Sequence, residues 1–116
     1  MHRREYMAII THMDREFGRL LDALEASGVD ESTLIVFSGD HGLALGEHGL
    51  MGKQNPYDHS IRGPLVFSGP GIPRGVEVSE LVYSGSIFPT ICDLVGIDIP
   101  DHVEFDSLRP VIYESG

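Results

Sequence analysis

The apolar run Thr33-Leu34-Ile35-Val36-Phe37 leads directly into the turn Ser38-Gly39-Asp40-His41-Gly42. A short run of β-branched and aromatic residues predicts a buried strand, and the glycines after it predict a sharp turn. In α/β sheets, ligands bind beyond the carboxyl ends of the strands. Asp40 and His41 therefore occupy a position where such folds build their sites.

The stretch from Gly39 to Gly63 is rich in glycine and has neither helical nor strand periodicity. Loops of this length within a compact domain are usually functional or disordered. This loop carries Leu45-Gly46-Glu47-His48-Gly49 and then Gly52-Lys53. A carboxylate, imidazoles and a mobile cation on one loop suit a metal ion with an oxyanion bound beside it.

Length, charge and cysteine content narrow the class of protein. With 116 residues, the chain fits one small domain with a single core. Its net charge of −10 and the lack of a Lys/Arg cluster argue against nonspecific binding to nucleic acid. The single cysteine, Cys92, excludes an internal disulfide. No signal peptide and no run of about 20 apolar residues for a membrane span is visible, so the localisation stays open.

Apolar residues recur at three- and four-residue steps between Glu5 and Ser27. They are Tyr6, Ile9, Ile10, Met13, Phe17, Leu20, Leu21 and Leu24. This spacing predicts an amphipathic helix with one buried stripe. The helix is expected to end at Ser27-Gly28, because glycine readily adopts the left-handed conformation that follows a last helical turn.

Further elements alternate in type along the chain. Pro64–Phe67 predicts a second strand, and Val78–Val82 a short third one. Ile87–Val95 predicts a helix with Pro89 in its first turn, and a short helix is expected from Ser107. Apolar strands and an amphipathic helix bury each other's faces. We therefore expect an α/β fold of three layers, a mostly parallel sheet with flanking helices.

Nine motifs occur in order along most of the chain. They are Met13-Asp14 and Gly18-Arg19-Leu20-Leu21 in the first helix, Asp40-His41-Gly42, Gly46-Glu47-His48-Gly49, Gly52-Lys53-Gln54-Asn55, Tyr57-Asp58-His59-Ser60 with Arg62 and Pro64, Gly69-Pro70-Gly71-Ile72, Phe88-Pro89-Thr90, and Leu94-Val95-Gly96-Ile97. Together they resemble the back half of the catalytic domain of a sulfatase, within the alkaline-phosphatase-like superfamily. The resemblance runs from about Tyr6 to Leu108, so residues 1–116 are interpreted as one partial sulfatase-like catalytic domain.

The resemblance implies a role for five polar residues of the long loop. Asp40 and His41 match the metal-binding motif, with Ca²⁺ expected and Mg²⁺ or Mn²⁺ as alternatives; His41 also fits a residue that orients the ligands. Lys53 matches the lysine that binds sulfate and stabilises charge on the leaving oxygen. His48 is expected to take part in catalytic proton transfer and His59 in substrate binding, although structural hydrogen bonding explains both equally well.

The same resemblance implies that the complete enzyme hydrolyses sulfate esters. Its nucleophile is a formylglycine made from the first residue of a Cys/Ser-x-Pro/Ala-x-Arg motif. Cys92 is followed by Asp93-Leu94-Val95-Gly96 and does not fit that motif, so we expect the chain by itself to be inactive. Two alternatives stay open: a phosphate or phosphonate monoester hydrolase of the same superfamily, and a non-catalytic truncated domain that binds only metal or a partner.

A partial catalytic domain is expected to need a partner. Half of a larger fold exposes a strand edge and apolar surface, which proteins normally pair or cover. We therefore expect a homo-oligomer or association through the uncovered sheet. In the complete enzyme the ligand is a sulfate ester, and neither nucleic acid nor a membrane span is expected.

Overall fold

The computed structural model describes residues 3–114 of the chain. The chain forms two compact units, Met1–Gly69 and Pro70–Gly116. Within the described residues, no helix is both long and apolar enough to cross a membrane.

The first unit begins with a long helix, α1 (Arg3–Ser27), which confirms the helix predicted over Glu5–Ser27. Gly28 follows it with a φ angle of 70°, and its N–H donates a hydrogen bond of 2.9 Å to the Glu25 carbonyl. The helix therefore ends at a left-handed glycine, as the sequence predicts.

The apolar stripe of α1 is largely exposed, which corrects the prediction of a buried one. No residue of α1 is buried, and Leu20 and Ile9 keep 63% and 53% of their surface exposed. Phe17 is half-buried, and its ring contacts Phe37 with the ring centroids 5.5 Å apart. The sheets formed by residues 3–69 have two strands each, so they offer too little apolar area to cover a helix of 25 residues.

Four short strands form two antiparallel pairs in the first unit. They are β1 (Ile35–Ser38), β2 (Ala44–Leu45), β3 (Met51–Gly52) and β4 (Leu65–Ser68). β1 pairs with β4, with Val36 opposite Phe67, and β2 pairs with β3. The strands predicted at Thr33–Phe37 and Pro64–Phe67 are thus confirmed with small shifts of their ends.

The antiparallel pairing corrects the expected mostly parallel sheet for the strands of this chain. Parallel neighbours need a long crossover connection, usually a helix. Between β1 and β4 the one α-helix is a single turn, α2 (Asp58–Ile61). The segment brings the chain back alongside β1 in the opposite direction. β2, β3 and α2 also correct the prediction that residues 39–63 lack regular structure.

The second unit is built on helix α3 (Ile87–Val95), which has the predicted bounds and a buried Pro89 in its first turn. Thr90 is fully buried. Its hydroxyl donates to the Ser86 carbonyl at 2.5 Å and accepts a hydrogen bond of 2.7 Å from the Leu108 N–H. These two bonds tie the segment before helix α4 (Arg109–Glu114) to α3.

Three further predictions fall in the second unit. The strand predicted at Val78–Val82 does not form, because the described residues of this unit offer it no strand with which to build a ladder. The short helix expected from Ser107 is confirmed as α4, which begins at Arg109. Cys92, the single cysteine of the sequence, is free and buried in α3, in line with the exclusion of an internal disulfide.

Candidate active site

The turn after β1 carries the two side chains predicted to bind a metal ion. The Gly39 N–H donates to the Pro64 carbonyl at 3.2 Å, which extends the β1–β4 pair into the turn. Asp40 then points into solvent, with 86% of its side chain exposed, whereas the side chain of His41 is 33% exposed. The edge of the sheet therefore presents a hydrated carboxylate beside a partly enclosed imidazole.

The hydrogen bonds of His41 define its tautomer. Its Nδ1 lies 2.8 Å from the carbonyl oxygen of Gly42, and a carbonyl only accepts, so Nδ1 carries the proton. Nε2 is then the unprotonated nitrogen, whose lone pair can accept a hydrogen bond. That atom lies 3.4 Å from Oδ2 of Asp40 and 2.5 Å from Nζ of Lys53. Three predicted site residues therefore converge on His41 Nε2.

Gly42 lets the backbone of α2 pack directly against this turn. Its N–H donates to the Ser60 carbonyl at 2.8 Å. A Cβ atom at Gly42 would lie 2.2 Å from the carbonyl oxygen of His59 and 2.8 Å from that of Arg62. Only glycine fits so close an approach, which explains the glycine that follows Asp40-His41.

A β-hairpin connects His41 to Lys53. This site hairpin consists of β2, β3 and the loop of residues 46–50 between them. The loop is closed by a hydrogen bond of 2.9 Å from the Gly46 N–H to the Leu50 carbonyl. Gly46, His48 and Gly49 all have positive φ angles, 111°, 53° and 71°. Lys53 directly follows β3, so the course of the hairpin determines where its ammonium group lies.

The carboxylate of Glu47 folds back onto the site hairpin. Its Oε2 accepts a hydrogen bond of 2.5 Å from the Leu45 N–H, and its Oε1 pairs with the guanidinium of Arg3 at the start of α1. These contacts lower the pKa of the Glu47 carboxyl. The hydrogen bond from the Leu45 N–H has the largest effect, the backbone N–H of Glu47 itself the next, and the charge of Arg3 adds to them.

Three aromatic rings form a second group of functional candidates, the aromatic cluster of His48, Tyr57 and His59. The rings of His48 and Tyr57 stack with centroids 4.2 Å apart and planes at 19°. His59 lies 5.7 Å from each of them. His48 and His59 are thus brought together around Tyr57.

Among residues 3–114, two buried polar side-chain atoms in or next to the aromatic cluster have no hydrogen-bond partner. They are Nε2 of His59 and Oγ of Ser60, both shielded from solvent. Ser60 keeps only 2% of its surface exposed. Buried polar groups are normally bonded, so these two atoms mark a place where a further donor or acceptor fits.

Sequence reasoning missed Glu47 and Tyr57 as parts of this site. Both lie inside motifs that the sequence presents, but Glu47 matched no metal-binding position of the resemblance and Tyr57 is not a residue type typical of metal or sulfate sites. The sequence signal for Tyr57 was its short distance from Lys53 along the chain. The two residues are joined by a tight turn, in which the Asn55 N–H donates to the Lys53 carbonyl at 2.9 Å and the Tyr57 N–H donates to Asn55 Oδ1 at 3.2 Å.

The donor set fits part of a metal site. A carboxylate oxygen and the lone pair of an imidazole lie on adjacent residues, and the second imidazole nitrogen is held by a carbonyl, as is usual for histidine ligands. Among residues 3–114, however, no group of three or more His, Cys, Asp or Glu side chains could hold a metal ion together. Asp40 and His41 therefore supply at most two of the donors that a complete metal site needs.

These features agree with the comparison to known proteins. Residues 2–97 match the family model of the sulfatases. The chain is 35% identical over 114 residues to an N-acetylglucosamine-6-O-sulfatase of Bacteroides thetaiotaomicron and 39% identical over 99 residues to a choline-sulfatase of Rhizobium meliloti. The alignments cover 97% and 85% of this chain, but only 20% and 19% of those relatives. The chain therefore belongs to the sulfatase family and spans about a fifth of the length of these relatives.

Solved structures agree with this assignment. A protein in complex with its substrate D-glucosamine-2-N,6-O-disulfate superimposes with a TM-score of 0.90 at 35% identity, over 97% of this chain and 23% of that one. A phosphonate monoester hydrolase from Silicibacter pomeroyi gives a TM-score of 0.77 at 38% identity, over 89% of this chain and 20% of that one. The predicted α/β, alkaline-phosphatase-like fold is thereby confirmed.

Proposed function

We propose that this chain contributes a metal-binding turn and a sulfate-binding lysine to a metal-dependent hydrolase of sulfate esters. One observation carries the proposal: Nζ of Lys53 lies 2.5 Å from Nε2 of His41, although the two residues are twelve positions apart in the sequence. A cation beside two metal-ligand side chains is suited to hold a tetrahedral oxyanion between itself and a metal ion.

Asp40 and His41 are the residues that would hold the metal. The hard carboxylate oxygen favours Ca²⁺, with Mg²⁺ or Mn²⁺ as alternatives. When bound, such an ion acts as a Lewis acid on the ester oxygens. Two ligands are few for a cation that takes six or more oxygens, so calorimetry of the isolated chain with Ca²⁺ and Mn²⁺ should give little heat. Tight one-to-one binding that Asp40→Ala abolishes would contradict this expectation.

Lys53 supplies the positive charge for the sulfate. It is the only lysine in the chain, and its ammonium group acts as a point charge with three donors. Held beside the ester, it neutralises the negative charge that develops on the leaving oxygen. The nucleophile of the family belongs to a motif that we do not find in these 116 residues, so the role of this chain is to bind and orient the sulfate.

His48 and His59 are proposed to act on the alcohol side of the ester. His48 is exposed at the tip of the site hairpin, which favours it for proton transfer to the leaving group. His59 is assigned to substrate binding because its ring lies in the aromatic cluster beside His48. Its Nε2, shielded from solvent and unpartnered within residues 3–114, needs a donor or acceptor from outside these residues. A purely structural bond to another part of a larger domain is the alternative for His59.

A second candidate is hydrolysis of phosphate or phosphonate monoesters. It is favoured by the similarity to the phosphonate monoester hydrolase from Silicibacter pomeroyi. The same charges suit either tetrahedral oxyanion, so the residues around Lys53 do not discriminate between the two esters. A domain that binds metal or a partner without catalysis is the third alternative.

The experiment is turnover of nitrophenyl sulfate and nitrophenyl phosphate by this chain joined to the preceding part of a sulfatase domain, which carries the nucleophile motif. We expect the joined protein to prefer the sulfate and the chain alone to be inactive. A preference for phosphate would favour the second candidate. A folded joined protein that turns over neither ester would contradict the proposed function and leave the non-catalytic alternative.

A further inference from the structure

The site hairpin is a weak element that nevertheless carries the key cation. Its strands have only two residues each, and strands so short are not stable by themselves. Its loop also holds His48 at a φ angle of 53°, a conformation that residues with a Cβ atom rarely adopt. Something other than the strand ladder must hold this loop in its conformation.

Glu47 is the residue that makes the required contacts. One carboxylate oxygen accepts a hydrogen bond of 2.5 Å from the N–H of Leu45, the last residue of β2, and so holds the first residues of the loop together. The other oxygen pairs with Arg3, 44 residues earlier in the chain, which ties the loop to α1. Bonds to a charged carboxylate are stronger than those between neutral groups, so one side chain fixes the loop both locally and against a long helix.

Fixing the loop also fixes the position of Lys53, because β3 connects the two. His41 lies three residues before β2, and Lys53 comes immediately after β3, so the hairpin sets the distance between the imidazole and the ammonium group. We propose that Glu47 is a positioning residue, whose carboxylate closes the site hairpin and anchors it to α1 so that Lys53 is held against His41. The inference deepens the proposed function, because it concerns how the sulfate-binding cation is placed.

The test uses the 116-residue chain and requires no substrate. Because Lys53 is the only lysine, lysine-selective isotope labelling gives one set of side-chain NMR signals. The nuclear Overhauser effect between the Lys53 Cε protons and the His41 ring then reports their distance. In Glu47→Ala we expect this effect to fall at least twofold and amide hydrogen exchange at Leu45 to rise on the order of tenfold.

Glu47→Gln and Glu31→Ala are the matched variants. Glutamine keeps an oxygen for the Leu45 N–H but loses the charge facing Arg3, so it should restore part of the Lys53–His41 signal. Glu31 is an exposed glutamate in the 3-10 turn Asp30–Ser32, and its removal should leave the signal unchanged. Circular dichroism monitors the helix content of every variant. If Glu47→Ala fails to fold, the comparison of Glu47→Gln with wild type carries the test.

Two results would overturn the inference. One is an unchanged Lys53–His41 signal in Glu47→Ala, or in Glu47→Gln where only that variant folds. The other is unchanged exchange at Leu45 in Glu47→Ala, since the carboxylate would then not close the loop. Neither result depends on turnover, so failure of the positioning role is distinguishable from failure of the proposed sulfatase function.

Discussion

At the scale of single residues, sequence chemistry singled out three side chains that the fold brings together, but not the residues that surround them. Asp40, His41 and Lys53 have side chains suited to metal and sulfate, and they converge at 2.5–3.4 Å around His41 Nε2. Glu47 and Tyr57 escaped prediction because their contacts depend on the fold of the loop. A carboxylate in a glycine-rich loop does not reveal which amide it will accept from.

Gly42 gives a direct test of the packing behind the site. Gly42→Ala places a methyl group 2.2 Å from the His59 carbonyl oxygen, and we expect it to cost about 2 kcal/mol of unfolding free energy or more. Gly18→Ala is the matched control, because a Cβ atom at Gly18 of α1 meets nothing within 4 Å; it should stabilise the chain by up to about 1 kcal/mol. Urea unfolding measures both, and equal stabilities of Gly42→Ala and wild type would contradict the close approach.

At the scale of secondary-structure elements, the sequence predicted the helices and strands that have a regular apolar pattern. α1, β1, β4 and α3 each have a strong apolar pattern, and all four form close to the expected bounds. Pairing direction is not encoded in that pattern, which is why β1 and β4 turned out antiparallel. The segment Val78–Val82 has the composition of a strand, but a strand exists only where a neighbour completes its hydrogen bonds.

The site hairpin should make stability depend on acid pH. The pKa of Glu47 is lowered in the fold, chiefly by the Leu45 N–H bond. Its contribution is therefore present above the unfolded pKa of about 4.3 and is lost as the pH falls through the lower folded value. Thermal melts of wild type and Glu47→Gln from pH 7 to pH 3 should differ most at pH 7 and converge in acid. A difference in Tm that stays constant over this range would contradict the role of the charge.

At the scale of the whole molecule, the exposed apolar surface is the main feature that the sequence did not predict in detail. The periodicity of α1 predicts a buried stripe, because apolar stripes of helices usually face a core. Whether a stripe is covered depends on the area that other elements offer, and periodicity within one helix does not contain that information. The resemblance to sulfatases, by contrast, was predicted from nine motifs and is confirmed over residues 2–97.

The exposed stripe of α1 leads to a prediction about association. We propose that the chain forms homo-oligomers or binds a partner through this uncovered surface, because contiguous apolar patches are normally covered. Sedimentation velocity should show a weight-average mass that rises with concentration. Leu20→Glu, at the most exposed residue of the stripe, should shift the distribution toward monomer. Asp22→Asn, at an exposed residue of α1 outside the stripe, should not. A dispersed wild-type monomer at high concentration would contradict self-association.

The central claim is that Lys53 binds the sulfate beside the Asp40-His41 turn, and kcat/KM for nitrophenyl sulfate tests it most directly. In the joined protein, we predict that Lys53→Ala lowers kcat/KM by about 10²–10³. Lys53→Arg should not restore full activity, because a planar guanidinium cannot take the place of a point charge, while Arg74→Ala in the second unit should match wild type. Undiminished kcat/KM in Lys53→Ala would remove Lys53 from the site and contradict the account.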